Sequence, residues 1–388
     1  MTSFRLFVSY AGSLALRFLL SPLKLLPVQK DRVLFLSFRG KQYSCNPRAV
    51  SEALEKNASG RVRIEWAFHE PEKFKYLAGR GITVLDDRSL KFILHAMTAR
   101  VVCTNTYYKP FLPRRKDQFY LRTWHGGGAY KKVTYPSGLR GKYISMQQQG
   151  ASLYLSSSRA FTDQTLRGAF GYTGEVLEAG MPRNDILTDG RWKETALLTK
   201  RELGFSDRKI ALYAPTYREG GAGKNLYPDT DRIKKALFQK FGGSWTVLYR
   251  GHHVDKSANI GDMDVSAYPD MQPLLCAADI LITDYSSSIW DMSLMYKPAF
   301  LYCADLDAYR AERDFFTDIR SWPFPLAEND EELENNILCF DEEKYRCAVK
   351  AHHESLGNCE TGRAAVLAAE RILRECGALS SPGTSDCL

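Results

Sequence analysis

None of the nine cysteines in this 388-residue chain stands in a Cys-x-x-Cys pair, and no spacing among them repeats. That speaks against a zinc framework and excludes a small disulfide-stapled scaffold. Cys103, Cys276 and Cys303 lie in apolar runs, where a reduced thiol acts as a small hydrophobe, as in a reducing cytosol. Also missing is any run of eighteen uncharged residues near the start, because Arg5, Arg17 and Lys24 interrupt a stretch rich in Leu and Phe. A spanning helix is therefore not expected. No small-x-small cleavage site follows this stretch, and Pro22 and Pro27 close it, which argues against a signal peptide. Internal repeats and low-complexity tracts are absent too. Acidic residues are scarce in the first part of the chain: residues 1–150 hold 26 basic and 9 acidic side chains, against 27 and 36 in the remainder. This polarity implies an anionic partner for the N-terminal half, whether nucleic acid, an acidic membrane surface or a phosphorylated substrate. No nucleic-acid-binding motif accompanies the basic residues, which sets the first aside.

What is present is an ordinary globular composition, 44% hydrophobic and 25% charged, with enough length for two cores. In residues 1–27, Arg5, Ser9, Ser13 and Arg17 recur every fourth position. On a helix they form a narrow polar stripe beside Phe4, Phe7, Val8, Leu14, Phe18 and Leu19. This pattern predicts an amphipathic, membrane-associating segment lying in the interface plane, with a helix docked on the core as the competing reading.

Downstream, strand-like and helix-like segments alternate, the pattern of parallel sheets covered by helices. Strands are expected at Val33–Phe38, Val62–Phe68, Ile82–Leu85, Arg100–Thr104, Phe119–Thr123 and Ser152–Ser156. A second series runs Lys209–Ala214, Thr246–Tyr249, Ile280–Thr283 and Pro298–Tyr302. Asn46 reads as the cap of a helix that carries Pro47 in its first turn. The expected fold is α/β with two doubly wound, Rossmann-like domains, an N-terminal one over residues 28–190 and a C-terminal one over 205–378. Thr188–Gly204 reads as the linker and 379–388 as a disordered tail.

Ligands of open parallel sheets bind beyond the carboxyl ends of the strands, so the residues after each strand matter most. Trp124-His125-Gly126-Gly127-Gly128 combines a base that works near neutral pH with a backbone that can approach a ligand closely. Pro215-Thr216-Tyr217-Arg218 is a polar strand exit, and Arg250-Gly251-His252-His253 joins a guanidinium to an imidazole, which suits a diphosphate. The apolar strand in Asp279-Ile280-Leu281-Ile282-Thr283 stops at Asp284 and hands over through Tyr285, Ser286, Ser287 and Ser288 to a helix, whose hydroxyls and amides form a phosphate site. Aspartate pairs at 262/264 and 305/307 have a spacing that arises often by chance, and no metal site is assigned; a divalent cation in solution is compatible with the sequence but not implied by it.

Taken in order, Thr123-Trp124-His125-Gly126, Tyr213-Ala214-Pro215-Thr216-Tyr217-Arg218, Arg250-Gly251-His252, Asp279–Ser287 and Lys297-Pro298 followed by Tyr302 resemble the CDP-glycerol glycerophosphotransferases of teichoic-acid and capsule synthesis. The resemblance implies a GT-B fold and transfer of a polyol phosphate, most directly glycerol phosphate, from CDP-glycerol or CDP-ribitol to a hydroxyl of an undecaprenyl-diphosphate-linked acceptor. It implies release of CMP, no tightly bound cofactor, and a peripheral location on the cytoplasmic face of a bacterial membrane. Under it, His125 and His252 are catalytic. Arg250, His252, Thr283, Asp284, Ser286, Ser287, Thr216 and Arg218 face the donor; Gly126, Gly127, Lys131 and Lys132 face the acceptor. With Arg114, Arg115, Lys116 and Arg122, these lysines would form a basic face near the acceptor. A sugar-nucleotide glycosyltransferase on the same fold is the alternative. The chain departs from the family pattern twice: Gly127-Gly128-Ala129-Tyr130 follows His-Gly where Thr-Pro is usual, and His253 stands where Pro is usual.

Overall fold

The computed structural model describes residues 3–58, 60–128, 130–133, 138–148, 150–216, 227–251 and 260–379. Seven strands form a first parallel sheet: β1 (Gln29–Leu36), β2 (Arg63–Phe68), β3 (Thr83–Asp86), β4 (Ala99–Thr104), β5 (Phe119–Arg122), β6 (Leu153–Ser156) and β7 (Glu175–Glu178), in the order β3-β2-β1-β4-β5-β6-β7. Six more form a second parallel sheet: β8 (Lys209–Tyr213), β9 (Trp245–Tyr249), β10 (Met263–Asp264), β11 (Ile280–Thr283), β12 (Ala299–Tyr302) and β13 (Leu326–Ala327), in the order β10-β9-β8-β11-β12-β13.

Burial on both faces explains the unbroken apolar runs. Along β1, Val33 and Phe35 enter one core with Val50, Leu54 and Trp66, while Leu34 and Leu36 enter another with Phe92 and Met97. Strand order reverses at β1/β4 in the first sheet and at β8/β11 in the second, opening a crevice at the carboxyl ends of each. All ten expected strands are present within a few residues. Three went unseen. Edge strand β7 begins and ends on exposed glutamates, and β10 and β13 are two residues long, too short for a period to register.

Several expectations need correction. Within the expected linker, residues 188–204, Trp192–Glu202 is a helix, and Trp192, Ala196 and Leu203 pack against the second core. The closing helix Ala364–Glu375 returns to the first sheet, where Ala368, Ala369, Ile372 and Leu373 join the Val33 core, so it does not complete the second. Its first amides, from Ala364 and Ala365, donate to the buried Asp185 carboxylate at 2.9 and 2.8 Å, which supplies the cap that Arg363 does not. Residue 379 is the last described.

Asn46 does not cap its helix, Cys45–Ala58. Its Nδ2 donates instead to the carbonyls of Thr123 and Trp124 at 3.0 and 2.9 Å. The basic face is also smaller than the charge count implies. Arg115 is buried, donating to Leu26 and Met97 carbonyls and paired with Asp117, and buried Arg122 donates to the Thr106 carbonyl.

The helix Ser3–Leu19 docks through the C-terminal half of its polar stripe. Arg17 donates to the carbonyls of Pro110 (2.6 Å) and Met146 (3.2 Å), and Ser13 is buried. Most of its apolar residues point outward, Phe4 76% and Phe18 80% exposed. No helix among the described residues is long and apolar enough to cross a membrane.

Candidate functional site

Both crevices open into one cleft of about 630 Å³, lined from the first sheet by His125, Gly126, Gly127 and Lys131, and from the second by Thr216, Arg250, Ser286 and Ser287. Sequence positions far apart thus converge because each follows the carboxyl end of a strand.

His125 follows β5 on a turn made possible by Trp124, whose φ of 54° is left-handed. Its Nδ1 lies 2.9 Å from the carbonyl of Asn105, which can only accept, so Nδ1 carries the proton and the lone pair is on Nε2. Asn105 is fixed in turn: its Oδ1 accepts from Phe38 N–H at 2.8 Å and its Nδ2 donates to Ser37 Oγ at 3.2 Å. The rings of Phe38 and Trp124 flank the imidazole at centroid distances of 5.8 and 4.6 Å. Burial, aided by the nearby Arg183 charge, lowers the pKa of His125, keeping it neutral at pH 7.

The glycines meet the opposite domain. A Cβ at Gly126 would lie 3.0 Å from Ser287 Oγ, and one at Gly127 would lie 2.3 Å from Trp290 Cδ1. Beyond them Tyr130 inserts into the second core, its ring 4.3 Å from that of Trp322 and its hydroxyl 3.0 Å from His352 Nε2. Lys131 forms an antiparallel bridge with Phe315, and Lys132 pairs with Asp314. Of the two lysines, Lys131 lines the cleft; Lys132 does not.

On the second sheet, Thr283 and Asp284 tie strand exits together. The Asp284 carboxylate accepts from Thr216 N–H at 2.8 Å and from Thr216 Oγ1 at 2.7 Å, and Thr283 Oγ1 donates to the Ala214 carbonyl at 2.7 Å. Neither Thr283 nor Asp284 lines the cleft. Ser286 Oγ accepts from Ser288 Oγ at 3.0 Å. The helix that follows, Ser288–Ser293, has six residues, so little macrodipole stands behind it and the side-chain donors carry more of any anion grip. Arg250 donates Nη1 to the Tyr268 carbonyl at 2.9 Å, and burial lowers its pKa. Arg218, His252 and His253 lie outside the described residues.

At least one member of each acidic pair has structural partners: Asp262 pairs with Lys234 and accepts from Val247 N–H, and Asp305 accepts from Tyr285 O–H. Sequence reasoning missed Asn105, Arg183, Asp291 and Glu360. Arg183, Asn184 and Asp185 form a short polar run that begins five residues after the end of β7, a signal that could be read only once β7 was recognised.

The chain matches the family described as CDP-Glycerol:Poly(glycerophosphate) glycerophosphotransferase over residues 19–374. It is 31% identical over 343 residues to the teichoic acid poly(glycerol phosphate) polymerase of Bacillus subtilis (strain 168), covering 84% of this chain but 46% of that protein, so it spans about half the relative's length. It is 29% identical over 371 residues to the teichoic acid glycerol-phosphate transferase of Staphylococcus aureus, covering 89% and 93% of the two. Its fold resembles a variant of the wall teichoic acid polymerase TagF with CDPG, at TM-score 0.81 and 25% identity, over 96% of this chain and 98% of that one. With the motif residues gathered at one cleft and the match running almost end to end, the chain belongs to the CDP-glycerol:poly(glycerophosphate) glycerophosphotransferase family.

Proposed function

We propose that this protein transfers a polyol phosphate, most directly glycerol phosphate, from a CDP-linked donor to a hydroxyl of a lipid-linked glycan, releasing CMP, in teichoic-acid or capsule-like polymer synthesis. The observation that carries this reading is the placement of a neutral His125, with its lone pair on Nε2, across one cleft from Arg250, Ser286 and Ser287. In the reaction, Nε2 takes the acceptor hydroxyl proton as that oxygen bonds to the polyol-bearing phosphorus. The bond from that phosphorus to the bridging oxygen breaks, and the charge departs with CMP. Arg250 and the serine hydroxyls stabilise it there, each such donor contributing on the order of 10²- to 10³-fold. Asp284 and Thr283 hold the donor loop in shape, and His252 is assigned to the departing phosphate by the family motif. Lys131 serves the acceptor.

Native-state binding raises apparent stability, by about 2.7 kcal/mol at a hundred times Kd. In a thermal-shift panel of CDP-glycerol, CDP-ribitol, CMP and UDP-sugars, selective stabilisation by a CDP-polyol is expected. Stabilisation by a UDP-sugar alone would replace this reading with glycosyl transfer.

The outward apolar face of helix Ser3–Leu19, seated on the body through Arg17, supports peripheral docking on an anionic membrane surface, which is where a lipid-linked acceptor is found. Flotation with vesicles containing anionic lipid should recover the wild-type protein and lose the variant carrying Phe7→Asp and Phe18→Asp. Equal recovery of both would remove this helix from membrane docking.

A further inference from the structure

Arg183 and Asp291 line the cleft and belong to a largely buried polar cluster to which the transfer chemistry above gives no role. Arg183 Nη1 donates to the His125 carbonyl at 2.9 Å and its Nη2 to Asp291 Oδ2 at 2.7 Å. Its own amide donates to Asn46 Oδ1 at 3.0 Å, and Asn46 in turn holds the carbonyls of Thr123 and Trp124. One residue therefore grips three successive residues of the His125 turn, two of them through Asn46. The other end of the grip belongs to the opposite domain: Asp291 lies one turn past Ser287 and is also held by Asn184 Nδ2 at 2.9 Å and Gln272 Nε2 at 3.2 Å. The Arg183 Nε–H is buried and meets no acceptor among the described residues.

We propose that Arg183 is a positioning residue for phosphoryl transfer: by clamping the main chain of His125 to Asp291, it sets the base at a fixed distance from the Ser286-Ser287 segment. The proposal rests on the reading of His125 as base given above. Effective in-line attack needs the reacting atoms about 3–3.5 Å apart, so a clamp spanning both domains acts on kcat and leaves ground-state donor binding alone. The same guanidinium sits near the imidazole as a positive charge. Phe38, Trp124 and the Asn105 carbonyl border the ring, and Arg183 is the charged group that acts on it; the charged or ionisable groups facing Arg183 are Asp291, Glu360 and the Cys45 thiol.

Two variants test this, with two readouts. Arg183→Lys keeps the charge and loses the fork; Arg183→Gln combined with Asp291→Asn removes both charges of that ion pair together. CMP release is followed with CDP-glycerol and a synthetic prenyl-diphosphate-linked disaccharide, and the His125 ring is titrated by NMR without substrate. For both variants kcat should fall about 10- to 100-fold, with the donor KM within about twofold of wild type. The His125 titration should stay in place in Arg183→Lys and move to higher pH in the double variant, where the cation that lowers it is gone. Wild-type kcat in folded variants, or an unmoved His125 titration in the double variant, would overturn the proposal. Absence of wild-type CMP release would fall on the donor assignment instead, and the ring titration would still decide whether Arg183 acts on His125.

Discussion

Replacing His125 by alanine is expected to lower turnover by roughly 10²- to 10⁴-fold, the usual contribution of a positioned general base, while CDP-glycerol still stabilises the protein in a melt. The expectation follows from the hydrogen bond that puts the Nδ1 proton on the Asn105 carbonyl. A ring with that bond cannot present its other nitrogen as a donor unless it is cationic, and burial opposes the cation. The sign of the pH dependence then follows. As the proposed base the group acts unprotonated, and its pKa is lowered, so kcat/KM is expected to rise with pH along an acid limb that lies below the ordinary histidine value of 6.5 and is flat through pH 7. In the alanine variant that limb should be gone. More than about a tenth of wild-type turnover in His125→Ala would mean that another group takes the proton.

How much of this was legible beforehand depends on the range of the interaction. The strands of both sheets announce themselves, since burial on two faces demands runs such as Val33-Leu34-Phe35-Leu36 and Ile280-Leu281-Ile282. The residues that follow those strands reach the cleft for a topological reason, which made His125, Thr216, Arg250, Ser286 and Ser287 readable from spacing and motif alone. Partnerships across long stretches of chain were not readable. Arg115 and Arg122 look like surface cations in a basic stretch, yet each is buried against main-chain carbonyls that only the fold brings near. Asn46 has the residue type and neighbours of a helix cap, but its amide holds a turn 77 positions away. Arg183 stands in a short 3₁₀ turn with no local periodicity, and its partners at 125 and 291 come from both domains.

The glycines show how such a hidden partner changes the meaning of a motif, and Gly127→Ala is the second substitution expected to have a large effect. A glycine run beside a candidate base reads as room for a substrate. Here the room is occupied: a Cβ on residue 127 would fall 2.3 Å from Trp290 Cδ1 and 2.6 Å from its Nε1. The indole has little freedom to yield, being fully buried, bonded through Nε1 to Glu360 Oε1 at 3.2 Å and packed on His353 at 5.0 Å between centroids. Either the turn carrying His125 moves or the helix behind Ser287 does. Overpacking of this kind costs about 1–3 kcal/mol of stability, and an ångström of misplacement at the base is worth on the order of 10²-fold in rate. The Gly127→Ala variant should therefore show a lowered melting temperature together with a loss in kcat, and Trp290→Phe added to it should restore part of both. If Gly127 served the acceptor directly, the alanine would raise acceptor KM and leave the melting temperature alone, and trimming the indole would bring nothing back. That contrast separates a glycine kept for a ligand from one kept so that the His125 turn of one domain can lie flat against Trp290 of the other.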